Sequence, residues 1–191
     1  MQNQMRVKDS LIRLFLGDIT ELKFDAFVYY ARHDLVLGSG FGGAIAVRGG
    51  PSIAEELKRY SPVETTTAVM TAAGNLRAKH IIHAVGPRFQ EPDLERKLQI
   101  TIRNILQLAD DKKLSTLAFP AMGAGFYGVP LDTCARVMFD VITHYLDGQT
   151  NIREVIICLN DSREYRPFEA GLNSLASSLN PDPVRRSEAE A

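Results

Sequence analysis

The stretch "LVLGSGFGGAIAVRGG", residues 35–50, contains Gly38-x-Gly40-x-x-Gly43, a GxGxxG pattern associated with nucleotide phosphates. On its own the pattern fits a dinucleotide fingerprint, another phosphate loop, or a glycine-rich turn. Its flanks narrow the choice. Upstream, "DAFVYYA" (25–31) is aromatic and β-branched, which predicts a strand. Downstream, "GGAIAVRG" reads as a short helix, and "PSIAEELKRY" (51–60) as a second, entered at Pro51. The loop therefore lies between a strand and a helix, but it opens seven residues after Ala31.

Further out, the chain alternates strands and helices. "SLIRLFLGDIT" (10–20) is a strand running into a turn at Gly17-Asp18. "TTAVMTAA" (66–73), "KHIIHAVG" (79–86), "STLAFPA" (115–121) and "REVIICLN" (153–160) are further strands. Residues 92–113 place apolar side chains at 94, 98, 102, 105, 106 and 109, which is helical spacing. Residues 130–146 and 162–179 are two more helices, the second with Pro167 early in it. The pattern predicts an α/β fold, a three-layer α/β/α sandwich with a mixed, mostly parallel central sheet. The short spacing around residues 74–79 predicts some antiparallel pairing. With 191 residues, one domain over 1–179 is expected, and the polar 180–191 reads as a flexible tail or linker.

Composition bounds the function classes. A net charge of −1 gives no basic footprint for non-specific nucleic-acid binding. No apolar run long enough to span a membrane occurs, and "MQNQMRVKDS" lacks the apolar core of a signal peptide. Cys134 and Cys158, the only cysteines, sit among apolar residues, which suits buried thiols in a reducing cytoplasm.

In open α/β sheets, ligands lie beyond the carboxyl ends of strands. Those ends carry Gly17-Asp18-Ile19, Ala31-Arg32-His33, Gly86-Pro87, "PAMGAGFYGVP" (120–130) and Asn160-Asp161. The fourth contains a second GxGxxG, Gly123 to Gly128. A dinucleotide-binding fold wants the glycines directly after the strand and an acidic residue about 20 positions later. Neither loop meets both conditions, and both cannot be the first βα turn of one small fold. No GxxxxGK[ST] exists, so a Walker-type loop is excluded. Two readings stay open. Either both loops are plain tight turns, or they embrace one diphosphate, the first through the N-terminus of the following helix and the second through successive backbone amides.

The ordered motifs "GDIT", "DAFV", "GSGFGGAI", "HAVGP", "AFPAMGAGFYG" and "CLND" resemble those of macro domains, ADP-ribose-binding modules with an α/β/α sandwich fold. The resemblance covers about residues 11–179 and implies a set of ligand contacts. Asp18 matches the carboxylate that accepts from the adenine amino group, and Ile19 lines the adenine pocket. Gly40, Phe41, Gly42, Gly43 and Ala44 match the loop facing the diphosphate and distal ribose. Gly123, Ala124, Gly125, Phe126 and Tyr127 match the second phosphate loop, with Phe126 against the distal ribose. Asn160 stands where many members place a side chain over the adenine. Read without the resemblance, Asp18 is a turn or N-cap residue.

The same resemblance exposes departures. Hydrolytic members carry an Asn-rich stretch where this chain has Tyr29, Tyr30, Ala31 and Arg32, and often an acidic residue where Gly42 stands. Activating water at the distal ribose needs a positioned polar side chain. His33 is the nearest titratable substitute, though a lone loop His is more commonly solvated. Arg32 could reach a phosphate or carboxylate. His80 and His83 lie three apart on a strand, facing opposite ways, which makes a poor metal pair. Glu55, Glu56, Lys58 and Arg59 read as a solvated helix face. The expectation is a binder of ADP-ribose, of ADP-ribosylated protein or of a related nucleotide, without efficient hydrolysis, cofactor, metal or membrane partner. The rival readings are an ADP-ribosyl hydrolase or O-acetyl-ADP-ribose deacetylase with non-standard residues, and a binder of RNA adenines.

Overall fold

The computed structural model describes residues 3–179; the tail expected over 180–191 lies outside them. Seven strands form one sheet: β1 (Gln4–Val7), β2 (Ser10–Leu16), β3 (Ala26–Tyr30), β4 (Ala68–Ala72), β5 (His80–Ala84), β6 (Thr116–Phe119) and β7 (Glu154–Leu159). Their spatial order is β1-β2-β7-β6-β3-β5-β4. The five inner strands run parallel. The edge strands β1 and β4 are antiparallel to their neighbours. The β4–β5 hairpin is the antiparallel element that the spacing around residues 74–79 predicts. β1 was not predicted: its inward residues, Met5 and Val7, are too few to set a period, and its turn uses Lys8 at φ +48° rather than a glycine.

Strand periodicity sorts the core into two halves. Ala26, Val28 and Tyr30 face one side with Leu98, Ile102 and Ile105 of α3 (Leu94–Asp111). α4 (Leu131–Leu146) and α5 (Ser162–Leu179) cover the same side. Phe27 and Tyr29 face the other, against Ile45 of α1 (Phe41–Gly49) and Ile53 of α2 (Ser52–Leu57). Helices on both faces of the sheet give the three-layer sandwich. The helical spacing expected in α3 is realised: Leu98, Ile102, Ile105, Leu106 and Ala109 are buried. Each fully buried large side chain, such as Phe27 or Phe119, stabilises the fold by roughly 1.5–3 kcal/mol. Cys134 and Cys158 are buried free thiols. Burial holds the Cys158 thiol at about 12.

The parallel register brings the carboxyl ends of β2, β7, β6, β3 and β5 to one edge. β6 pairs directly with β3 (Phe27↔Ala118), so the two glycine segments leave neighbouring strands. Asn160 follows β7 on the other flank of β6, and Asp18 follows β2 beyond it.

Candidate functional site

A cavity of about 360 Å³ opens at this edge, between the segment after β3 and the segment after β6. The first wall is Gly38 to Gly42, including the entry to α1. Gly40 is the N-cap at φ +63°, a left-handed conformation that a side chain would strain. The first turn of a helix leaves its N–H groups without intrahelical partners, and the helix dipole adds partial positive charge there. The opposite wall is Pro120 to Tyr127. Gly125 opens a 3-10 turn at φ +74°, and a Cβ on it would meet nothing within 4 Å, so its open side is loop surface. The Val129 N–H donates to the Gly123 carbonyl at 3.0 Å and closes this loop on itself.

Aromatic rings make the floor and rim. Tyr29 packs edge-on against Phe41, with centroids 5.3 Å apart. The Tyr30 hydroxyl donates to the Pro87 carbonyl, and its ring lies 4.7 Å from that of Tyr127. Phe126 is 92% exposed and meets Tyr127 edge-on. A Cβ at position 42 would run into the Tyr29 hydroxyl. The glycine at 42 and the phenol at 29 are therefore one feature: the hydroxyl fills the space that any side chain at 42 would take. Burial foremost, then Tyr127, pushes the Tyr29 phenol up to about 12, so it stays protonated at neutral pH.

Two charged groups border the cavity, Arg32 and Glu164, and a third, Asp18, stands one strand along the same edge. Arg32 reaches a carboxylate, that of Asp34, through Nε at 3.1 Å and Nη2 at 2.6 Å. Glu164, one turn into α5, accepts from the Asn160 N–H at 2.9 Å and from Asn160 Nδ2 at 3.1 Å. It lines the cavity and was missed in the sequence. The signal was present: Asp161 caps α5 by accepting from the Glu164 N–H at 3.0 Å, a D-x-x-E arrangement in which the Glu reaches back. Beyond β7, Asp18 accepts through Oδ1 from the Thr20 N–H (2.9 Å) and hydroxyl (2.7 Å), and through Oδ2 from Arg48 Nη1 (2.5 Å). Burial alone would raise the Asp18 carboxyl, but the Thr20 and Arg48 hydrogen bonds outweigh it and hold the group below its ordinary value.

Of the residues singled out in the sequence, the cavity gathers Tyr29, Arg32, Gly40, Phe41, Gly42, Gly123, Ala124, Gly125, Phe126, Tyr127 and Asn160. Asp18 and Ile19 lie outside its lining, one strand along the same edge, where the Gly17 N–H donates to the Leu159 carbonyl at 2.9 Å. Gly43 and Ala44 lie behind the wall in α1, and His33 is also outside, its carbonyl accepting from the Val63 N–H. His83 is buried on β5, its ring edge-on to Tyr29, while His80 is half-buried on the opposite face. No cluster of His, Cys, Asp and Glu among the described residues could hold a metal ion.

Residues 30–138 match the family model described as the Macro domain. A macrodomain of Oceanobacillus iheyensis, solved with ADP, superposes with a TM-score of 0.87 at 28% identity, over 92% of this chain and 96% of that one. A Trypanosoma brucei macrodomain in complex with ADP-ribose superposes with a TM-score of 0.78 at 28% identity, over 84% of this chain and 68% of that one. The ADP-ribose glycohydrolase MACROD2 of Xenopus laevis is 32% identical over 177 residues, 89% of this chain and 42% of that protein.

Proposed function

The chain belongs to the macro domain family, and on that premise we propose that it binds ADP-ribose and does not efficiently hydrolyse ADP-ribosyl bonds. The observation that carries the binding is the pair of glycine loops facing one another across the cavity, next to the N-terminus of α1. Backbone N–H groups at a helix entry suit a diphosphate, and a near-neutral chain needs no basic patch to hold one. In this reading the base lies toward Asp18 and Asn160, the diphosphate between the loops, and the distal ribose against Tyr29 and Phe126. The solved relatives that hold ADP and ADP-ribose support the ligand class.

The lack of turnover rests on Tyr29 and Gly42. At the ribose end, the group nearest the α1 entry is a phenol, held protonated by burial, and residue 42 has no side chain. A protonated phenol donates a hydrogen bond but is a poor base for water at neutral pH. Calorimetric titration with ADP-ribose, ATP and NAD tests the binding, and ADP-ribose is expected to bind most tightly. Incubation with a mono-ADP-ribosylated protein tests the chemistry, with release expected no faster than in buffer. Multiple-turnover release would establish the hydrolase reading instead, the activity for which the Xenopus relative is named. In that event His33→Ala separates a substitute base from chemistry assisted by the substrate itself.

A further inference from the structure

Arg48, in the last turn of α1, reaches the strand end that carries Asp18. Its Nη1 donates to Asp18 Oδ2 and to Thr20 Oγ1, each at 2.5 Å, and stands 3.5 Å from Glu21 Oε1. Thr20 holds the other carboxylate oxygen, Oδ1, through its N–H and hydroxyl. The carboxylate is thus fixed from two sides. Yet both side chains of the ion pair remain open to solvent, Arg48 at 45% and Asp18 at 46%. Among the described residues, Arg48 Nε and Nη2 donate to nothing, and Asp18 Oδ2 accepts only from Nη1. A carboxylate oxygen has room for a second donor, and a guanidinium carries five N–H groups. The end of β2 therefore presents an oriented acceptor with an oriented, permanently charged donor beside it.

That pairing has a consequence for which base fits. A lone carboxylate accepts from an exocyclic amine and repels a carbonyl oxygen. A carboxylate with a guanidinium at its side can do more. The 6-amino edge of a purine offers an N–H donor next to a ring-nitrogen acceptor. The 6-oxo edge offers a carbonyl acceptor next to the N1–H donor. Each edge is one donor and one acceptor, and each can meet Asp18 and Arg48 together. We propose that Arg48 is a specificity-determining residue that lets the site take 6-oxo as well as 6-amino purine diphosphate riboses. The inference rests on the reading that places the base at Asp18.

The test is calorimetric titration of the full chain with ADP-ribose and with inosine diphosphate ribose, in which a 6-oxo group replaces the 6-amino group. The readout is the ratio of their dissociation constants, which a general loss of fold or of positive charge does not move. The wild-type ratio is expected below about ten. Arg48→Ala is expected to raise the ratio about tenfold: the amino purine keeps its exocyclic N–H on Asp18, whereas the 6-oxo purine, left without a donor for O6, holds that oxygen beside a carboxylate that is no longer neutralised. Asp18→Ala is expected to weaken both nucleotides, since each edge donates once to that carboxylate. A wild-type ratio above about ten overturns the proposal. So does a ratio that Arg48→Ala leaves unchanged. Failure of the folded wild type to bind either nucleotide overturns the ADP-ribose reading. Binding of both that Asp18→Ala does not affect overturns only the placement of the base, and the role of Arg48 with it.

Discussion

Asp18 has two roles that the sequence reading set against each other. It caps the 3-10 turn Ile19–Glu21 through the Thr20 N–H, as a plain turn residue would, and it still presents Oδ2 at the strand end. Asp18→Ala removes a charge-assisted acceptor, so ADP-ribose affinity is expected to fall by about 1.5–3 kcal/mol, roughly ten- to a hundredfold. Titration of the folded variant checks this, and unchanged affinity would place the adenine elsewhere. Arg48 could not be linked to Asp18 from the sequence, because thirty residues separate two side chains that only the fold brings together. The coupling of Tyr29 and Gly42 was half legible. Both departures were visible, but not that the hydroxyl fills the space above the glycine. Gly42→Ala is expected to destabilise the protein by about 1–2 kcal/mol through overpacking. In a Tyr29→Leu background that cost should largely vanish. Chemical denaturation of the four proteins in a double-mutant cycle measures the coupling, and strict additivity would refute it.

Among the elements, the inner strands were the most legible. Buried on both faces, they read as continuous apolar runs, and the predicted spans overlap β3, β5, β6 and β7. Boundaries were less so. α1 starts at Phe41, one residue before the "GGAIAVRG" read as a helix, because the poor helix propensity of two glycines hides a turn that the cavity wall fixes. Glu56, read as part of a solvated face, accepts from the Ala72 N–H at 3.0 Å and so ties α2 to the edge strand β4. The glycine pattern falls on the two segments that wall the cavity, and the positive φ at Gly40 and Gly125 favours that residue. It could not show that they face each other, which follows from the β3–β6 pairing. Gly125→Val should therefore abolish ADP-ribose binding while the protein still unfolds cooperatively. The side chain enters open space rather than core, and forcing φ +74° on it costs only about 1–2 kcal/mol. Thermal melting alongside titration separates the two effects; normal affinity would mean that the glycines serve only the turn.

The molecule as a whole separates its polar chemistry between the two edges of the sheet. The carboxyl edge carries the cavity. At the amino edge, Asp25 joins three strands: its Oδ1 accepts from Lys79 at 2.8 Å, and its Oδ2 from the N–H groups of Ser115 (2.9 Å) and Thr116 (3.1 Å). Burial opposes the charge there, but Lys79 and the two backbone donors win and hold the carboxyl at about 2. A depressed carboxyl contributes stability above its unfolded value of 3.8, and that contribution is lost as pH falls toward 2. His83 acts over a different window. Burial depresses it from 6.5 to about 3, with only Thr71 at hydrogen-bond distance from Nε2 and no partner on Nδ1 among the described residues. It is neutral in the folded chain, and unfolding takes up a proton below 6.5. Its contribution is complete above that value and drains away as pH falls toward 3. One such proton gives a slope of up to about 1.4 kcal/mol per pH unit. Stability is thus expected to decline from mildly acidic pH with the slope of one proton, to which a second proton's slope adds once Asp25 begins to titrate below 3.8. Urea denaturation across this range checks it, using His83→Leu and Asp25→Asn. The His83 variant should lose the decline that sets in below 6.5 and keep the one that sets in below 3.8; the Asp25 variant should do the reverse. A His83→Leu protein with the wild-type slope between about pH 6 and 4 would show that another group governs the acid response.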